Sequence, residues 1–211
     1  MSPAAAASHE TPPRAEPVAA GPPPPNRGDR NLNPPGIGLL ALLREDLRTH
    51  GGDLFEQGFW AIATHRFGNW RMGVRFKPCR APLTLIHRAL CKWVEWTCGI
   101  TLPYTTVLGR RVRIWHHGGM ILNARSIGDE VHIRQNTTFG LTGRGAPDGA
   151  LPTIEDRVDL GCGVCVAGYV RVGHDSRIGA NTLVITDIPP DSIAAGVPAR
   201  IIGRTQVGDE S

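Results

Sequence analysis

Residues 154–184 read IEDRVDLGCGVCVAGYVRVGHDSRIGANTLV, and every sixth position carries an aliphatic side chain: Ile154, Leu160, Val166, Val172, Ile178 and Val184. A period of six matches neither the 3.6-residue turn of a helix nor the plain alternation of a half-buried strand. It fits a triangular coil, in which each hexad supplies one short strand and one corner. Three hexads then bring the chain back over its start, one strand spacing of about 4.8 Å further along the axis. The recurring aliphatic points inward in every hexad, and small residues such as Gly161, Ala167, Gly173 and Gly179 follow it. A small or β-branched residue comes four positions after it, at Val158, Val164, Val170, Ser176 and Thr182.

Upstream the same register runs through Leu102, Leu108 and Ile114. After a one-residue slip at Gly118-Gly119 it continues in Ile121, Ile127, Ile133 and Phe139. Between Phe139 and Ile154 the spacing fails, and LTGRGAPDGALPT (141–153) is the Gly- and Pro-rich composition of a loop thrown out from a corner. The stretch 37–99 is expected to be helical. It contains GLLALLREDLRTH (38–50) and FWAIATHRFGNWRMGVRF (59–76), and a last helix opened by Pro82 in PLTLIHRALCKWVEWTC (82–98). Its tryptophans, Trp60, Trp70, Trp93 and Trp96, are expected to pack helices on one another or on a neighbouring subunit. The domain plan is therefore a Pro/Ala-rich disordered tail over 1–36, a helical region over 37–99, a β-helix over 100–203 and a flexible end over 204–211.

Composition excludes several classes. A hydrophobic fraction of 41% in 211 residues supports a core, while the net charge of +4 is modest and its basic residues are not gathered into a stripe, so nucleic acid is not indicated. No run of eighteen apolar residues and no signal-peptide core occur, which points to a cytoplasmic protein without membrane association. The five cysteines are odd in number and scattered; Cys162 and Cys165 have C-x-x-C spacing but lack a second pair, so no disulfide framework and no metal site are expected.

The stretches WAIATHRFGNW (60–70), HHGGMIL (116–122), IRQNTTFGLTG (133–143), the hexads and AAGVPARIIG (194–203) together resemble the serine acetyltransferases of the hexapeptide-repeat acyltransferases. The resemblance covers roughly Leu39 to Gly203. It implies a mainly β fold, a left-handed parallel β-helix preceded by helices, and a homotrimer with sites between neighbouring coils; the hexamer that the family forms by pairing two trimers through their N-terminal helices is not expected, because the helical part is shorter than in the long bacterial members. It also implies acetyl-CoA as acyl donor and a small hydroxyl compound as acceptor. Aligned by its hexads, LGRRVRIWHHGG places His116 on the family's catalytic histidine. Imidazole titrates near neutrality and suits removal of a hydroxyl proton during attack on a thioester. A lone histidine at a coil corner would read as a surface residue; the HHGG context and the register favour the catalytic role, with His117 one place away in reserve. Gly140, Thr142, Ala167, Ala180 and Arg200 are the corresponding donor-binding positions, the small residues admitting the pantetheine arm and Arg200 meeting a phosphate.

Three positions depart from the family pattern. Thr101 stands where the family has the acid that orients the histidine, Trp115 stands where it has an acid just before the histidine, and Leu151 replaces a second histidine after the loop. The donor half thus reads as retained and the acceptor half as altered. Beside an acetyltransferase acting on serine or another small alcohol stand two alternatives: an authentic serine acetyltransferase of cysteine biosynthesis, and a catalytically silent scaffold.

Overall fold

A computed structural model describes residues 23–140 and 149–205. From Ile100 onward the chain winds as a left-handed parallel β-helix with three flat faces. One face stacks β1 (Ile100–Thr101), β4 (Met120–Leu122), β7 (Thr138–Gly140), β10 (Cys165–Ala167) and β13 (Leu183–Val184). The second stacks β2 (Val107–Leu108), β5 (Ser126–Ile127), β8 (Thr153–Ile154) and β11 (Arg171–Val172). The third stacks β3 (Arg113–Trp115), β6 (His132–Arg134), β9 (Asp159–Leu160), β12 (Arg177–Ile178) and β14 (Ser192–Ala195). There the chain turns back, and β15 (Arg200–Arg204) pairs antiparallel with β14.

The hexad aliphatics form three internal columns. Leu108, Ile127, Ile154 and Val172 stack on the second face, Ile114, Ile133, Leu160 and Ile178 on the third, and all are at most 2% exposed. Burying one such side chain stabilises by about 1.5–3 kcal/mol, so the column is the main stabilising feature of the coil. Val158, Val164, Val170, Ser176 and Thr182 are buried too. At the turns the two hydroxyls among them are used on the chain itself: Ser176 Oγ donates to Pro189 O (3.0 Å) and Thr182 Oγ1 to Gly179 O (2.7 Å).

On the first face the column is Leu122, Phe139, Val166 and Val184, which corrects the register at one strand. Ile121, expected inside, is 50% exposed, whereas Met120 and Leu122 are buried. The Gly118-Gly119 insertion lengthens the spacing from Ile114 to Leu122, and the next corner, Leu122 to Ile127, is shortened. The net slip is one residue, but it is completed only after β4. Leu102 is likewise only half-buried, at the end of the coil that the helices cover.

The helical layer consists of α1 (Leu39–Thr49), α2 (Gln57–Trp70), one 3₁₀ turn (Arg71–Gly73) and α3 (Lys77–Cys98). Helix α3 begins five residues before the expected start. Pro78 occupies the first turn, where a missing N–H costs nothing, and Pro82 lies inside the helix. The segment WAIATHRFGNW fastens α2 to the first coil through main-chain carbonyls. Arg66 donates to Leu108 O (2.8 Å) and Gly109 O (2.5 Å), His65 Nε2 to Thr106 O (2.9 Å) and Asn69 Nδ2 to Tyr104 O (2.9 Å). Arg66, wholly buried, also pairs with buried Asp46 of α1 at 3.0 Å. A Cβ on Gly68 would stand 2.3 Å from the His87 ring of α3, so only glycine permits that helix contact.

Residues 23–36 are irregular and lie against this framework: Asn26 Nδ2 donates to Thr105 O, and Leu32 N to Asn69 Oδ1. The first 22 residues of the expected tail, residues 141–148 of the expected loop and residues 206–211 fall outside the described residues.

Candidate active site

His116 follows β3 at the corner between the third and first faces. Its backbone is left-handed (φ 62°), a conformation uncommon for a residue with a Cβ, and its side chain is exposed. The corner is built against the end of α3. Gly99, also left-handed, terminates that helix. Gly118 N donates to Cys98 O (3.0 Å) and Met120 N to Gly99 O (2.9 Å). The same border continues upward through Asn136, Gly163 and Asn181, all left-handed and joined by Asn136 N to Gly118 O, Gly163 N to Gln135 O and Asn181 N to Cys162 O. A Cβ on Gly163 would stand 2.2 Å from Asn181 Oδ1, so a side chain there would have to displace the Asn181 amide.

Beside His116 the outward face of β3 and β6 holds a group that the hexad pattern alone does not single out. The Arg113 guanidinium lies 3.6 Å over the Trp115 ring, and His132 meets that ring edge-on at 5.8 Å. Trp115 Nε1 is buried and has no partner among the described residues. Burial lowers the pKa of His132, which keeps this histidine neutral near pH 7. The stacking follows from the register Arg113↔His132 and Trp115↔Arg134, readable in the sequence only once the slip at Gly118-Gly119 is placed.

Thr101 pairs with Ile121 on the first face and lines a cavity of about 260 Å³ between β1 and helices α2 and α3. His87, Cys91, Glu95 and Tyr104 share that wall. Cys91 Sγ lies 3.4 Å from His87 Nε2; burial raises the thiol and lowers the imidazole to about 4, so the pair is neutral. A wider groove of about 450 Å³, lined by Ser126, Thr153, Glu155, Arg171 and His174, lies on the second face and does not include His116. His174, Asp175 and Asp191 lie close enough to share a cation, but both Asp175 oxygens are held by Arg157 at 2.6 and 2.7 Å.

The structure brings only some of the donor positions together. Gly140 and Ala167 are paired residues at the border between the first and second faces, and a Cβ placed on Gly140 would meet nothing within 4 Å. Ala180 is exposed at the opposite border of the first face, the border that carries His116. Arg200 is exposed in β15, at the last coil. Thr142 lies outside the described residues.

Sequence and shape both have clear counterparts, although no family model matches the chain. The serine acetyltransferase of Mycobacterium tuberculosis is 35% identical over 153 residues, 71% of this chain and 62% of that protein. That of Helicobacter pylori is 37% identical over 120 residues, 56% of this chain and 70% of the relative. The chain belongs to the serine acetyltransferase family. A serine acetyltransferase of Brucella abortus, solved in complex with coenzyme A, superposes with a TM-score of 0.64 at 26% identity, covering 86% of this chain and 81% of that one.

The chain spans about six-tenths of the Mycobacterium relative and 53% of the serine acetyltransferase of Escherichia coli. His116 falls at a corner that two glycines follow and the end of α3 supports, a local geometry no hexad count conveys.

Proposed function

We propose that this protein is an acetyl-CoA-dependent O-acetyltransferase with His116 as general base and a small hydroxyl compound, serine or another alcohol, as acceptor. The observation that carries the reading is His116 itself, exposed at a left-handed corner seated on the carbonyl end of α3, in a chain of this family. In the reaction the imidazole takes the hydroxyl proton as the oxygen attacks the thioester carbonyl. The tetrahedral intermediate then collapses with cleavage of the C–S bond, and the departing thiolate regains a proton. For the donor, Gly140 and Ala167 offer an unobstructed strip of backbone, while Thr142, Ala180 and Arg200 are carried from the family pattern.

The separation of these groups supports a homotrimer. His116 and Ala180 lie on one border of the first face and Gly140 and Ala167 on the other, so one copy alone does not bring both to a single ligand. Neighbouring coils in a closed ring bring unlike borders together. Among the described residues no helix is long and apolar enough to cross a membrane, and we place the reaction in the cytoplasm.

The test is thiol release from acetyl-CoA by the purified protein with serine and a panel of sugars and small alcohols. With an acceptor that is turned over, His116→Ala should slow transfer by about 10² to 10⁴ while coenzyme A still binds, and His117→Ala should do far less. Equal rates for wild type and His116→Ala would overturn the mechanism; a dominant loss in His117→Ala would move it by one residue.

A further inference from the structure

Helix α3 has two apolar faces where a helix at the surface of a globular protein normally has one. The inner face, with Val94 and Cys98 buried, packs on α2 and β1. The outer face carries Pro82, Leu85, Ile86, Ala89, Trp93 and Trp96 at spacings of three and four, and so forms a single stripe. Leu85 is 71% exposed and Trp96 83%. The stripe extends onto α2, where Trp60 meets Trp93 edge-on at 5.7 Å and donates its indole N–H to Leu54 O, and then to the exposed Leu54 and Phe55.

The charges around this surface are unequal. On α3 stand Lys77, Arg80, Arg88 and Lys92 against one acid, Glu95, which Lys92 already pairs at 2.5 Å. Arg75 precedes the helix. At the far end of the patch are Asp53, whose Oδ1 accepts the Phe55 N–H, and Glu56. From this arrangement we infer that α3 docks the protein onto an anionic lipid surface. Indole and aliphatic groups enter the boundary between headgroups and acyl chains, and the long basic side chains reach the phosphates. Two-fold pairing with a second copy is the poorer match, because it sets the basic border of this face against itself with only Glu95 to answer; a contact within the proposed three-fold ring is tested by the sedimentation below. The helix lies on the membrane and does not cross it. The inference replaces the sequence expectation of no membrane association and is independent of the acceptor.

The experiment is co-sedimentation of the full chain with phosphatidylcholine vesicles and with phosphatidylcholine–phosphatidylglycerol vesicles at low and high salt. Binding is expected to the mixed vesicles, at least about tenfold weaker in high salt and weaker on neutral vesicles. The double variant Leu85→Ser/Trp96→Ser, whose side chains are exposed, should lose binding while its circular dichroism and acetyl transfer are kept. Lys92→Glu, with the apolar stripe intact, should weaken binding to mixed vesicles alone. Absence of wild-type binding, or binding undiminished in the double variant, would overturn the inference. So would sedimentation showing an assembly that the double variant splits, since a second copy would then be the occupant.

Discussion

The coil and the helical layer solve the problem of burial differently. In the coil each hexad contributes one aliphatic and one small side chain to a column, and its polar needs are met by the parallel ladders. In the layer, polar groups are carried into the interior: Asp46, His50, His65, Arg66, Asn69 and His87 are all buried. The coil therefore depends on many equivalent contacts, each replaceable at moderate cost. The layer depends on a few directed ones that cannot be lost singly, because a buried donor or charge left without its partner keeps its full desolvation penalty.

The largest expected effect follows from that asymmetry. Asp46→Ala leaves the Arg66 guanidinium buried without its counter-ion and should cost about 3–5 kcal/mol. The loss should fall on the layer first. Four of the five tryptophans lie there, so fluorescence should report a transition at lower urea than amide hydrogen exchange of the coil strands. Replacing the pair by Leu and Met would not be neutral, because Leu108 O and Gly109 O would lose the donors that Arg66 gives them. In the coil, Ile133→Ala should cost about 2–5 kcal/mol through cavity and transfer effects, with both probes shifting together. Coincident transitions in Asp46→Ala would break the distinction between the regions.

The same contrast governs what the sequence reveals. A repeated period of six is redundant, so the columns from Ile127 to Val184 could be read without the structure. Ile121 misled because either neighbour of an aliphatic pair can satisfy the count when an insertion and a shortened corner lie on opposite sides of one strand. In the layer, Pro78 and Pro82 offer equally good first turns, and the choice depends on packing against α2. The neighbours of His116 single it out as a candidate in the sequence. Its left-handed backbone, the Trp115–Arg113–His132 group and the support from α3 are not legible there, since each depends on which coils stack.

Acid sharpens the comparison at a smaller scale. Burial lowers His65 to about 3 and His87 to about 4, both in the layer. An unfolded histidine titrates near 6.5, so below that pH the unfolded chain binds protons the folded layer refuses. Stability from this source is complete above about pH 6.5 and falls with pH, by up to about 1.4 kcal/mol per unit for His65, until the folded values are reached. Urea midpoints followed from pH 7 to 4.5 should drop, and His65→Gln, which keeps a donor for Thr106 O, should flatten the slope. An unchanged slope in that variant would assign the acid sensitivity elsewhere.

The smallest effect is expected at the coil's outer edge, where Arg111, Glu130, Arg157, Asp175 and Asp191 follow one another at successive corners, all with left-handed backbones. Arg157 forks onto Asp175 and holds that carboxyl at about 2, yet both side chains face solvent. Exposed pairs contribute about 0–1 kcal/mol, so Arg157→Ala should lower stability by no more than that, with the difference shrinking in high salt. Arg157→Gly distinguishes charge from backbone. Glycine loses the same ion pair but removes the Cβ that makes φ of 55° unfavourable, so it should equal or exceed alanine in stability despite its greater unfolded-state freedom. If glycine is worse than alanine by 1 kcal/mol or more, the left-handed corner is not under strain, and the stacking of side chains along this edge contributes more than the exposed pair suggests.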